Sequence, residues 1–193
     1  MPRYKPSRWN RDSNVRDSHN CYAYFLNVVS PKITRACKKS RKRGKKCRRP
    51  HPGYSLGFPA IKTVRSHMTC FDMNNRVTKE NPHVRVVSDS EKCKPSEYKG
   101  ALVLASHPWG DKADYHFYRE NDSGYWSHKD GPEKATDRDA EGKKIRDPRR
   151  ASRDYRKGKK IGRKYDRFCN FYCVKRQPEK ARIKTRKYRK RGY

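Results

Sequence analysis

Positive charge dominates this chain and is concentrated toward its two ends. The 193 residues include 52 Lys and Arg against 20 Asp and Glu, a net charge of +32. Residues 1–50 carry a net charge of +14, residues 51–142 carry −1, and residues 143–193 carry +19. Like charges at this density repel one another unless an anionic partner neutralises them. We therefore expect a nearly neutral centre between two basic regions, and we expect these regions to bind an acidic partner.

The hydrophobic content limits the size of any core. Only 32% of the residues are hydrophobic, which is below the usual share for a globular chain and supports a single core of roughly 100 residues. The predicted organisation is an extended basic N-terminal arm over residues 1–17 and one α+β core over 18–174. Within the core we expect a basic loop insertion at 30–53 and a polar loop at 130–167. A basic tail over 175–193 completes the chain.

Apolar patterning predicts one or two helices packed on an antiparallel sheet. A short buried helix would begin near Cys21 with Ser18 or Asn20 as its cap, although the aromatic content there also suits a strand. A second helix is predicted over 66–80, where Pro82 stops it. The predicted strands are 83–88, 98–106, 114–120, 125–129 and 168–174, with a hairpin turn at 121–124.

One pair of residue types could carry chemistry. Cys21 would open a helix, whose aligned backbone dipoles lower a thiol pKa, and His116 on a downstream strand could accept its proton. His128, one hairpin turn later, or Asp147 could orient the imidazole. The alternative is that Cys21 is a small buried apolar residue and His116 a hydrogen-bonded strand histidine.

Two stretches resemble known sequences. Residues 20–24 (NCYAY) are similar to the nucleophile motif of the papain-like NlpC/P60 and CHAP superfamily. Residues 114–119 (DYHFYR) and 124–129 (GYWSHK) resemble a signature in uncharacterised proteins of bacteria and large DNA viruses. The resemblance implies a small papain-like fold in which Cys21 is the nucleophile, His116 the base and His128 a third member, whether active or vestigial.

The basic regions favour a structural role over catalysis. Because such charge is foreign to a typical peptidase core, the preferred prediction is a minor capsid or internal virion protein of a large DNA virus, made in the host cytoplasm. Its basic arms would contact other capsid proteins, and nucleic acid or an anionic membrane surface. The alternatives are a cysteine peptidase or amidase and a ribosomal-type ribonucleoprotein component. No cofactor is expected.

The candidate partner-binding residues are the cations of two runs. Such runs bind phosphate or other polyanions, or form solvated loops. The first run is Lys38, Lys39, Arg41, Lys42, Arg43, Lys45, Lys46, Arg48 and Arg49, and the second is Arg186, Lys187, Arg189, Lys190 and Arg191.

The seven cysteines show no CxxC pair. An odd number at scattered spacing predicts mostly reduced thiols in an intracellular protein, with one or two disulfides left open. The three-residue gaps between Cys47 and His51 and between Cys169 and Cys173 are a weaker alternative, a zinc site. Cys169 and Cys173 could instead pack on one face of a strand. No apolar run approaches about 18 residues, and no secretory leader is visible.

Overall fold

The chain has a mixed α+β fold in a computed structural model that describes residues 1–59, 68–105, 113–156, 163–176 and 178–185. Short 3-10 turns lie at Tyr54–Leu56 and Pro178–Lys180. The helices are α1 (Ser7–Asn10), α2 (Ser13–Ser18), α3 (Cys21–Phe25), α4 (Pro31–Arg41) and α5 (Cys70–Glu80). The strands are β1 (Val84–Val87), β2 (Glu97–Ala105), β3 (Asp114–Glu120), β4 (Trp126–Lys129), β5 (Ala135–Thr136) and β6 (Arg167–Lys175).

Side-chain caps define where the helices begin. Asn20 caps α3 by accepting from the Ala23 amide at 3.4 Å, and Thr69 caps α5, because a side-chain oxygen satisfies an otherwise unpaired N–H. At the other end of α3, Asn27 has a left-handed backbone (φ 56°). The Val28 amide then reaches the Ala23 carbonyl at 3.0 Å, as in a Schellman motif. The predicted buried helix at Cys21 is therefore confirmed.

The strands form one antiparallel sheet in the order β1-β6-β2-β3-β4-β5. Alternate residues of β2 serve two hydrophobic clusters on opposite faces, as the two-residue period of a strand requires. Leu102 and Leu104 belong to the helix-side cluster with α3 and α5. Ala101 and Val103 belong to the far-side cluster, which Ile145 covers. The α+β class and the strand positions are thus confirmed.

Gly100 lets α3 lie directly on the sheet. A Cβ at this position would collide with the Phe25 ring, so any larger residue would push the helix away. The Phe25 ring stacks on Phe117 with ring centroids 4.7 Å apart. This close contact fixes the height of α3, and therefore of Cys21, above β3.

Three disulfides cross-link the fold, and this corrects the prediction of mostly reduced thiols. They join Cys37 to Cys47, Cys70 to Cys169, and Cys93 to Cys173. Spacing alone cannot reveal such pairs, because chain geometry brings together cysteines that lie as much as 99 residues apart.

An irregularity in β6 directs two of these disulfides to opposite faces. The pairing of β6 with β2 shifts register between Leu102 and Val103, so that Cys169 lies in a bulge. Cys169 consequently faces the helix side and Cys173 the far side. The expectation that both would pack on one face of a strand is therefore wrong.

The N-terminal arm predicted over 1–17 is folded onto the core. It forms α1 and α2, and Trp9 is only 1% exposed, with its ring 4.8 Å from that of Tyr24. Asn10 exchanges two hydrogen bonds with the Ala135 backbone, at 3.1 and 2.7 Å. Burial of Trp9 and the hydrogen bonds of Asn10 thus hold this segment on the core, although its charge alone would favour an extended chain.

The described part of the tail, through residue 185, also docks on the core. Ile183 packs against the helix-side cluster, and Asn81 bonds the Arg182 carbonyl and amide at 3.2 and 2.7 Å. The five cations of the second run (Arg186, Lys187, Arg189, Lys190 and Arg191) lie outside the described residues.

The two predicted loops contain more structure than expected. The insertion at 30–53 begins with α4, whose cap is Ser30 and whose first residue is Pro31. Ile33 and Cys37, four residues apart, form its buried face. The segment 130–167 contributes β5 and buries Ile145. No helix among the described residues has the length and apolar character needed to cross a membrane.

Candidate functional site

Cys21 is the free cysteine, and its surroundings are those of a core residue. It is 4% exposed, and its Sγ lies 3.9 Å from the Tyr115 carbonyl oxygen, to which the thiol donates. Burial raises the pKa of the Cys21 thiol, and the charge of Asp114 raises this pKa further. The thiol is therefore held in its neutral, poorly nucleophilic form.

His116 lies on the opposite face of the sheet from Cys21. Its neighbours on β3, Tyr115 and Phe117, join the helix-side cluster that contains Cys21. The His116 ring instead contacts Tyr165 on the far side, with ring centroids 5.2 Å apart. Because successive strand residues point to opposite faces, the predicted pairing of Cys21 with His116 is wrong.

His116 and His128 form a buried pair with defined protonation. His128 Nε2 lies 2.9 Å from the Arg138 carbonyl, which only accepts, so this nitrogen carries the proton. His128 Nδ1 therefore accepts from His116 Nε2 at 2.8 Å. Burial lowers the pKa of both imidazoles, and His116 Nδ1 is buried without a partner. The pair lies under Tyr118 and Tyr165 as a neutral part of the core.

Thiol labelling tests this placement. Iodoacetamide should label Cys21 in the native protein at least about 100-fold more slowly than in denaturant, because reaction requires local opening. Mass spectrometry of the alkylated site measures the rate, and His116→Ala should not slow it. Rapid labelling of Cys21 in the native protein, abolished by His116→Ala, would instead support the predicted catalytic pair of Cys21 and His116.

The zinc alternative does not form. Cys47, Cys169 and Cys173 each belong to a disulfide, and a disulfide sulfur is not the thiolate ligand that zinc requires. His51 Nδ1 lies 2.6 Å from the Tyr115 hydroxyl. Cys93, Cys173 and Glu97 have ligand atoms within 4.8 Å of one another, but the bond between the two cysteines removes both thiols.

The first basic run forms a surface that we call the basic loop, residues 38–49. The Cys37–Cys47 disulfide closes residues 38–46 of this loop, with a Cα–Cα distance of 4.7 Å. Its first residues lie in the last turn of α4, where cations oppose the partial negative charge of the helix end. Arg41 to Lys46 are exposed. The disulfide and the helix thus present these cations on a fixed base.

Few carboxylates compensate the basic loop. Arg41 lies 3.6 Å from the Asp17 carboxylate, which also contacts Arg16 at 3.3 Å. Arg49 donates to the Asp17 carbonyl at 3.1 Å. Lys42, Arg43, Lys45 and Lys46 form no ion pair with the part of the chain that the structure describes. Their charge remains available to an external anion.

Glu80 is an important buried residue that the sequence pattern did not reveal. It is fully buried and accepts hydrogen bonds from the Tyr22 hydroxyl at 2.7 Å, the Gly53 amide at 2.9 Å and the Ser55 amide at 2.7 Å. A glutamate in the last turn of an amphipathic helix ordinarily faces solvent, and no local signal marks this one as buried.

Comparison with known proteins finds sequence similarity to a shell protein. The chain is 27% identical over 151 residues to insoluble matrix shell protein 1 of Ruditapes philippinarum, which covers 78% of this chain and 81% of that protein. No family model matches the chain, and no solved structure matches it.

Proposed function

We propose that this chain is a non-enzymatic structural protein of an oxidising compartment such as an extracellular matrix. Its disulfides would hold its shape, and its basic loop would bind a polyanion of that matrix. The observation that carries the proposal is the exposed, uncompensated charge of a loop that a disulfide closes. Similarity to a protein named as an insoluble matrix shell protein supports the structural role.

The disulfides also help to discriminate between the candidate roles expected from the sequence. Three disulfides suit secreted and surface proteins and are rare in the cytosol, so a cytosolic ribonucleoprotein fits least well. The virion role, with capsid proteins, nucleic acid or membrane as partners, stays a prediction. The papain-like resemblance also stays a prediction, but its Cys21–His116 pair is neutral and separated by the sheet.

Charge removal in the basic loop tests the proposal. The variant Lys42→Gln, Arg43→Gln, Lys45→Gln, Lys46→Gln should bind polyaspartate at least about 100-fold more weakly than the natural protein at about 0.1 M salt, since releasing about 0.7 counterions per contacting cation is worth about 1 kcal/mol there. Affinity is measured by calorimetry at this salt concentration.

A matched control separates the loop from overall charge. The variant Lys79→Gln, Lys92→Gln, Lys94→Gln, Lys134→Gln removes the same charge from exposed sites elsewhere. It should weaken binding only slightly. Equal losses in the two variants would show that net charge, rather than the basic loop, recruits the polyanion.

A further inference from the structure

A second cationic site lies away from the basic loop, where the N-terminal segment crosses the end of α3. This cleft has a volume of about 220 Å³, which is room for a small anionic group and several water molecules. Its lining is Pro2, Arg3, Lys5, Arg8, Trp9, Asn27 and Arg119.

Two guanidinium groups in the cleft share a single acceptor. Arg8 Nη1 donates to Asn27 Oδ1 at 3.0 Å, and Arg119 Nη1 donates to the same oxygen at 2.8 Å. The left-handed backbone of Asn27 at the end of α3 places this amide between them. Two like charges are thus held together by one neutral group, and burial and Arg119 both lower the pKa of Arg8.

Arg119 is unusual because it is a charged side chain that is only 1% exposed. Its Nη1 also donates to the Tyr24 carbonyl at 3.2 Å, and its guanidinium lies 4.1 Å from the centre of the Tyr24 ring. Its Nε is buried without a partner. The core thus holds this charged group beside the cleft without an acidic partner among the described residues.

No carboxylate within the described ranges neutralises the centre of the cleft. Lys5, Arg8 and Arg119 form no ion pair there, and Arg3, at the rim, lies 3.7 Å from Asp122. Guanidinium groups bind planar or tetrahedral oxyanions through paired, charge-assisted hydrogen bonds. An anion between Arg8 and Arg119 would relieve their repulsion.

We propose that this cleft binds one small oxyanion group, a carboxylate or a sulfate or phosphate ester, between Arg8 and Arg119. The site goes beyond the proposed function, because it recognises a single group at a defined position, whereas the basic loop attracts a polymer through accumulated charge. The group can belong to a free ion or to a matrix polymer.

Anion titration of the full chain tests the site. Sodium sulfate, phosphate and acetate are compared with sodium chloride at equal ionic strength, and the apparent Kd is taken from the rise in Tm. At least one of the three oxyanions should stabilise the protein beyond chloride. Arg8→Gln, an exposed substitution, should weaken that Kd about tenfold or more. Arg119→Lys keeps the charge but loses the paired N–H donors of the guanidinium, and it should weaken oxyanion binding several-fold.

Arg11→Gln is the matched control, because Arg11 is exposed in the same segment but does not line the cleft. It should bind as the natural protein does, and so should the four-residue variant of the basic loop. No oxyanion effect beyond chloride, or equal losses in Arg8→Gln and Arg11→Gln, would overturn the site. Neither result would contradict polyaspartate binding by the basic loop. Sulfated and carboxylated oligosaccharides then distinguish a polymer-borne group from a free ion.

Discussion

Replacing Cys70 and Cys169 together by serine is expected to lower the free energy of unfolding by about 4 to 5 kcal/mol. The two residues lie 99 positions apart and join α5 to β6. Closing a loop of that length removes about 4.7 kcal/mol of chain entropy from the unfolded state at 25 °C. A small core between basic segments has little stability to spare, so the variant should be largely unfolded at 37 °C.

The Cys37–Cys47 disulfide provides the control, because its cysteines lie only 10 positions apart. The same relation gives a loss of about 2.7 kcal/mol when both are replaced by serine. Urea denaturation followed by circular dichroism measures both variants. Equal losses would show that loop length does not set the stabilisation, and no loss in Cys70→Ser with Cys169→Ser would show that the long-range disulfide does not stabilise this fold.

Glu80→Ala is expected to cost at least about 3 kcal/mol of stability. It would leave the Tyr22 hydroxyl and the Gly53 and Ser55 amides without their shared acceptor, and each unsatisfied buried donor costs about 1 to 3 kcal/mol. Denaturant titration measures the loss, and hydrogen exchange should show faster exchange at the Gly53 and Ser55 amides.

An exposed glutamate gives the comparison. Glu141 pairs with Lys143 at 3.0 Å on the surface, where solvent screens the interaction. Glu141→Ala should therefore change stability little. A loss for Glu80→Ala as small as that for Glu141→Ala would contradict the assigned role of Glu80 in joining α3, α5 and the Tyr54–Leu56 turn.

The regular elements of the core were predictable because their signals are local. Strand β2 contains a continuous apolar run over residues 101–105, and the turn before β4 carries Gly124 at φ 75°, where a glycine fits best. Helix α4 was missed, although Ser30, Pro31 and the spacing of Ile33 and Cys37 mark it. The density of Lys and Arg around these residues obscured that pattern.

The candidate site was only partly predictable, for reasons of strand geometry. Local sequence places Cys21 at the start of a helix, but the position of His116 between Tyr115 and Phe117 decides which face it occupies. The helix covers the face of these two aromatic residues, so His116 faces the other side. The bulge at Cys169 likewise follows from long-range pairing of β6 with β2, which no local pattern specifies.

The charge itself was identified correctly, but its structural setting was not. An N-terminal segment with Arg and Lys at many positions was expected to remain extended, yet burial of Trp9 offsets that tendency. The disulfides turn a basic stretch into the closed basic loop. Within residues 1–59, the positive charge therefore lies on the surface of folded elements and not on an extended arm.

The salt dependence of polyaspartate binding tests the central claim most directly. The logarithm of the binding constant is measured against the logarithm of salt concentration for the natural protein, the basic-loop variant and the scattered-charge control. Each loop cation that contacts the polyanion releases about 0.7 counterions, so the loop variant should have a slope shallower by about 3, with the control unchanged. Identical slopes for the natural protein and the loop variant would contradict the account.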